Sequence, residues 1–353
     1  MKKLFLAMLT EKQILEIKAH LEKAQNPLFF FDNDADGLCS FLLLARAIGR
    51  GKGVAIKSFP DLNESYARKL HELNPDYVFV LDKPIISEAF IKEVKNLNLP
   101  LVWIDHHDVD PGNIEGIYYY NPIKHDKSNE PVTYLSWQIT KRKEDLWLAV
   151  AGCIGDNFLP DFFKEFSSEY PKFAGDKKSA FQVLYETDIG KISRILNFGL
   201  KDRTGNVVKM LKYLLKVKSP QEILKEDVRN HMIIRFEQIN SKYQQLVEKA
   251  KKFSKARLIY FQYGGDLSLS ADIANELYYE SPNKIIVVVY IQNNKANVSL
   301  RGKNIREITL KAIEGLENAT GGGHNDATGA KVSIEDLPKF KERIESLVNK
   351  KSS

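Results

Sequence analysis

The chain has 353 residues, long enough for two domains, and its 43% hydrophobic content supports packed cores and excludes a disordered chain. Lysine and arginine total 52 against 46 acidic residues, a net charge of +6 that suits an anionic ligand yet is common in proteins without one. Two cysteines, Cys39 and Cys153, lie far apart in apolar runs, which excludes a disulfide framework or a thiolate metal cluster and fits a reducing cytoplasm.

The opening Met1-Lys2-Lys3 and the apolar run to Leu9 are too short for an export signal, and charged helix-like sequence follows from Glu11. No apolar stretch reaches the length of a membrane span, so the expectation is a cytoplasmic protein with no membrane partner. From residue 12 to about 157, short apolar runs alternate with amphipathic segments. Pro27–Asp32, Val54–Phe59, Tyr77–Asp82 and Leu101–Asp105 read as strands with helices between them, which predicts a parallel α/β sheet covered on both faces. Several of these strands end on an acid, and the carboxyl ends of such sheets are where ligands bind.

The first strand runs directly into Asp32-Asn33-Asp34-Ala35-Asp36-Gly37. Three carboxylates at alternate positions repel one another, and a multivalent cation would relieve that repulsion. Helix capping by Asp36 explains one of the three, and an EF-hand loop shares the spacing but lacks its closing Glu. Asp82 ends the strand Tyr77–Leu81, where a single acid is also an ordinary turn residue. Asp105-His106-His107 ends the next, and two imidazoles beside a carboxylate suit Mn²⁺, Fe²⁺, Zn²⁺ or Co²⁺ better than bare Mg²⁺. Ala149–Gly155 then delivers Asp156, expected to be a buried acid at a helix end.

Between about 160 and 252 the pattern is helical, closing with a long helix from Asp227 to Phe253. Strands return at Arg257–Gln262, Ile285–Ile291 and Ala296–Leu300, with helices near 270–280, 304–316 and 336–349. Gly321-Gly322-Gly323-His324 follows the second of these helices. Three glycines let the backbone approach a ligand, and N–H groups ahead of a helix can hold phosphate, whereas a flexible turn would leave His324 incidental.

Together these motifs resemble the DHH phosphoesterase superfamily, in its RecJ-like branch. Asp32–Gly37 looks like the first motif in its RecJ form, Asp82 like the acid that bridges two metals, Asp105-His106-His107 like the naming motif, and Asp156 like the fourth-motif ligand. Gly321–His324 looks like the GGGH motif of the DHH-associated domain, with Ser299-Leu300-Arg301 as its substrate-facing strand. The chain departs at Phe30, where many members have a His. The resemblance implies a DHH catalytic domain over 1–160, a helical connector over 161–253 and a smaller α/β substrate-binding domain over 254–353, with the active site in the cleft between the two α/β domains.

It also implies two divalent ions, Mn²⁺ first and Mg²⁺ or Co²⁺ as alternatives, held by Asp32, Asp34, Asp36, Asp82, His106 and Asp156. His107 and His324 would serve catalysis, and Arg301, Gly321, Gly322, Gly323 and His324 would bind substrate. The implied activity is two-metal hydrolysis of single-stranded DNA or RNA from an end. Two alternatives stand beside it: a phosphodiesterase for short oligonucleotides or cyclic dinucleotides, and a non-enzymatic, helicase-associated subunit that binds GINS. The last is disfavoured because a degenerate subunit should lack several of the acids that are present here.

Overall fold

A computed structural model describes residues 9–58, 61–123, 130–225 and 231–350. By compactness the chain divides into Met1–Phe236 and Glu237–Ser353, and the helices between Phe163 and Leu224 belong to the first unit.

The first unit is built on β1 (Pro27–Asp32), β2 (Lys52–Ile56), β4 (Tyr77–Leu81), β6 (Leu101–Ile104) and β7 (Tyr118–Tyr120), with a separate two-residue pair β3 (Asp61–Leu62) and β5 (Ile85–Ile86). The five strands run parallel in the order β2-β1-β4-β6-β7. Alternation along β1 serves both faces, as period 2 dictates. Phe30 packs with Val80, Phe90 and Trp103 on one side, under the helices Arg68–Leu73 and Glu88–Asn96. Phe29 and Phe31 meet Phe41 of the helix Ala35–Ile48 on the other, with ring centroids at 5.5 and 5.1 Å. Each fully buried aromatic ring contributes roughly 1.5–3 kcal/mol by leaving water. Cys39 and Cys153 are both buried and unbridged.

The strand order matters for function. β2 lies on one side of β1 and β4 on the other, so the strand order reverses between β1 and β4, and the carboxyl ends of these two strands are the point where such sheets bind ligands. Asp32 to Asp36 and Asp82 stand at those two ends. The expected strand at Val54–Phe59 starts and stops earlier, and Phe59 lies outside the described residues. β7 was not expected: its Tyr118-Tyr119-Tyr120 is an edge strand too short to show alternation.

The second unit holds a mixed sheet, β11-β12-β10-β9-β8, of β8 (Leu258–Gly264), β9 (Ile285–Gln292), β10 (Lys295–Arg301), β11 (Thr320–Gly323) and β12 (Ala327–Ser333). β8 and β9 are parallel and the other neighbours antiparallel. The helices Ile305–Ile313 and Leu337–Lys350 cover one face through Ile305, Ile308, Phe340 and Ile344. Two expectations fail here. The helix foreseen to 316 stops at Ile313, ahead of Gly315 at φ 64°, and the glycines form neither a turn nor a helix entrance but the edge strand β11, paired Gly321 to Ala330 and Gly323 to Thr328. Long-range pairing to β12 supplies what low strand propensity withholds. The long helix runs from His231 to Lys251, and residues 227–230 of its expected start lie outside the described residues. Among the described residues no helix is long and apolar enough to cross a membrane.

Candidate metal centre

β1 is apolar until Asp32, and the chain turns through Asn33 into the helix Ala35–Ile48. Asp34, not Asp36, is that helix's N-cap: its Oδ1 accepts the Gly37 N–H at 2.9 Å. Asp36 caps a different helix. Its Oδ2 accepts the Val132 N–H at 2.8 Å and its Oδ1 that of Thr133 at 2.7 Å, at the start of the helix Val132–Thr140, whose own N-cap is Pro131. The carboxylate is buried and held on both oxygens, which fixes its direction.

Asp82 follows β4 with φ 57°, in the left-handed region that Asp tolerates better than most residues. Its N–H donates to the Ile104 carbonyl at 3.0 Å, tying it to the end of β6. There Asp105 and His106 are buried and His107 is half-buried. Asp105 Oδ1 lies 2.8 Å from His107 Nδ1 and Asp105 Oδ2 accepts the His107 N–H at 3.2 Å, so Asp105 orients the second imidazole. His106 Nε2 lies 3.3 Å from Asp82 Oδ1 and 3.8 Å from Asp156 Oδ2. Asp156 ends the helix Leu146–Gly155 as expected, but its side chain is 38% exposed rather than buried, because the chain leaves the core there.

Ligand-type atoms of Asp32, Asp34 and Asp82 all lie within 4.8 Å of one another, as do those of Asp36, His106 and Asp156, and those of Asp82, Asp105 and His107. Asp82 is common to two of these sets and adjoins His106 of the third. The charge state shows the same crowding. Burial raises the Asp34 carboxyl to about 8, reinforced by Asp32 and Asp36. Burial also lifts Asp36, to about 6, against the pull of His106, and drives Asp82 well above the usual carboxylate range, with Asp36 and Asp34 adding to it. Burial alone would lower His107, but Asp105 and the neighbouring acids outweigh it and hold the imidazole up at about 9. Desolvated acids that repel one another, interleaved with imidazoles, are a donor set that fits a divalent cation.

In the second unit, Arg301 ends β10 with its Nε donating to Asn275 Oδ1 at 2.5 Å and its Nη1 to the Leu300 and Thr328 carbonyls at 2.8 and 3.3 Å. Gly323 takes φ 131°, and a Cβ there would meet the Ala327 carbonyl oxygen at 2.7 Å, so this glycine is required by the hairpin itself. A Cβ on Gly322 would meet nothing within 4 Å, which leaves open space beside the strand. His324 is half-buried just beyond it.

A family model described as the DHH family, N-terminal domain, matches residues 28–154, and one described as the DHHA1 domain matches 255–350. The chain belongs to the DHH superfamily, and is RecJ-like. Among curated protein sequences, none matches it. RecJ from Thermus thermophilus, solved in complex with Mn²⁺, superposes with a TM-score of 0.66 at 18% identity, over 98% of this chain and 56% of that one. This DHH chain therefore spans about half the length of that relative. An exonuclease RecJ bound to manganese gives 0.63 at 19% identity, covering 98% and 96%. A DHH domain from a member of the s1p family of ribosomal proteins gives 0.69 at 15%, covering 98% and 93%. At these identities the likeness is one of fold.

Within this DHH fold, Phe30 is fully buried in the apolar layer and offers no ligand where many members have His. The sequence places Asp105 in its motif without a role, one that could have been found, since an acid two residues before a His is well placed to orient it. Thr133 and Lys83 could not: Lys83 looks like a surface residue in Leu81-Asp82-Lys83-Pro84, yet it is fully buried, with Nζ 2.8 Å from Asp32 Oδ1.

Proposed function

We propose that the chain is a metal-dependent phosphodiesterase that hydrolyses single-stranded DNA or RNA from an end. The supporting observation is the set of Asp and His donors gathered at the carboxyl ends of β1, β4 and β6, with Asp82 grouped with Asp32 and Asp34 and lying 3.3 Å from His106. Asp32 and Asp34 would hold one ion, Asp36, His106 and Asp156 the other, and Asp82 both. Divalent ions there supply charge neutralisation at the phosphate and activation of the attacking water. His107, kept cationic by Asp105, is suited to an anionic phosphate oxygen. Arg301, Gly321, Gly322, Gly323 and His324 would bind the phosphate or the terminal nucleotide, the guanidinium already aimed by Asn275. This gives residues 1–160 to catalysis, 161–253 to connection and 254–353 to substrate binding.

End-labelled single strands of DNA and RNA, and dinucleotides, incubated with Mn²⁺ or with excess chelator, test the reading. A ladder that grows from one end and needs Mn²⁺ is expected. Full activity in chelator overturns the metal mechanism, turnover of dinucleotides alone moves the substrate to short oligonucleotides, and strand binding without turnover moves the protein to a non-catalytic role. His324→Ala should lower turnover about a hundredfold with bound Mn²⁺ unchanged. Rates within about threefold of wild type, well under 1 kcal/mol, would remove the second unit from catalysis.

A further inference from the structure

A lysine stands inside the acidic cluster. Lys83 follows Asp82 directly, and its side chain has no exposure to solvent. Its ammonium donates to Asp32 Oδ1 and to the Ser58 carbonyl, both at 2.8 Å, while Trp103 Nε1 donates to the Lys83 carbonyl at 2.8 Å, so the residue is held at both ends. Fully buried lysines are rare, because an ammonium leaves water at a cost that only a close anion offsets. Asp32 is that anion here. Its Oδ1 accepts the Asn33 N–H at 2.9 Å as well, so both interactions fall on one oxygen of a carboxylate that also belongs to the set formed with Asp34 and Asp82.

We propose that Lys83 is a resident monovalent cation of the metal centre: it fixes Asp32, cancels its charge, and so sets how tightly the Asp32, Asp34 and Asp82 set holds a divalent ion. The inference rests on the reading of that set as a metal site. With Lys83 in place the set offers a divalent ion one negative charge fewer, which keeps the ion exchangeable. Before metal arrives, the same ammonium keeps one of the crowded carboxylates paired. Lys83 is thus a positioning residue, acting through Asp32.

Calorimetric titration of the full chain with Mn²⁺, without substrate, separates this role from a merely structural one. Lys83→Met should lower the melting temperature of the metal-free protein and yet tighten one Mn²⁺ by roughly tenfold, since a unit charge a few ångströms from a divalent ion has been removed. Asp32→Asn leaves the ammonium beside the ion without its carboxylate and should weaken that Mn²⁺ by roughly tenfold or more. Adding Lys83→Met to Asp32→Asn should recover most of the loss. This double variant buries no unpaired charge, so its comparison with Asp32→Asn carries the test if Lys83→Met alone does not fold. Weaker Mn²⁺ binding by Lys83→Met, or affinities of Asp32→Asn and the double variant within about threefold of each other, overturns the role of Lys83. A wild-type chain that binds no Mn²⁺ overturns the metal-site reading itself, and the two failures are therefore distinct.

Discussion

Asp82 combines two costs in one residue: a left-handed backbone and a carboxylate buried among other acids. Neither helps the fold, since a glycine or asparagine would hold φ 57° with less strain and no charge. Asp82→Asn keeps the backbone conformation and the side-chain shape while removing the repulsion. The metal-free variant should therefore melt no lower than wild type, while turnover with Mn²⁺ falls about a thousandfold, because the proposed function makes Asp82 a ligand of both ions. Differential scanning fluorimetry without metal and a rate measurement with it check both halves. Near-normal turnover would make Asp82 an ordinary strand-end residue. Asp105 belongs to the same scale: it holds His107 by two contacts and contributes to the site through that ring.

Asp36 shows how elements, rather than single residues, place the site. Its carboxylate caps the helix Val132–Thr140, which joins the first-motif turn to a helix about a hundred residues later in the chain. Asp36→Ala should accordingly cost about 1–2 kcal/mol of stability even without metal, by removing the cap of that helix, and lower Mn²⁺ binding as well. Asp156→Asn, at an exposed helix end, should weaken Mn²⁺ binding with little change in metal-free melting. Equal melting temperatures for the two variants would refute the capping role. The difference marks what was legible in the sequence. Strand ends such as Phe31-Asp32 and Ile104-Asp105 announce themselves, because an apolar run must stop where the sheet stops. Contacts made at long range do not: nothing local to Val132 or Thr133 says that an acid caps their helix. Gly321-Gly322-Gly323 has the composition of a loop and becomes a strand only because β12 is there to pair with it.

Across the whole molecule the metal-free chain holds acids whose folded-state pKa values are raised, and this fixes the sign of its pH dependence. Asp34 rises to about 8 and Asp36 to about 6, both through burial first, from an ordinary value near 4. A folded state that holds these protons more tightly than the unfolded chain loses stability as pH rises through the window from about 4 to about 8. His107, held up at about 9 by Asp105 against its burial, contributes stability that is complete below its ordinary value near 6.5 and is lost as pH rises toward 9. The two kinds of group act in the same direction. Metal-free protein should therefore melt several degrees lower at pH 9 than at pH 6, by roughly the few kcal/mol that such linkage carries. A divalent ion reverses the trend for the acids, since it stabilises them ionised. Added Mn²⁺ should then raise the melting temperature more at pH 8 than at pH 6, and its binding at pH 6 should release protons, seen as a binding enthalpy that changes with the ionisation enthalpy of the buffer. Melting temperatures that rise from pH 6 to pH 9 without metal, or a Mn²⁺ effect of equal size at both ends, would mean that the raised acids are not the ones the ion meets.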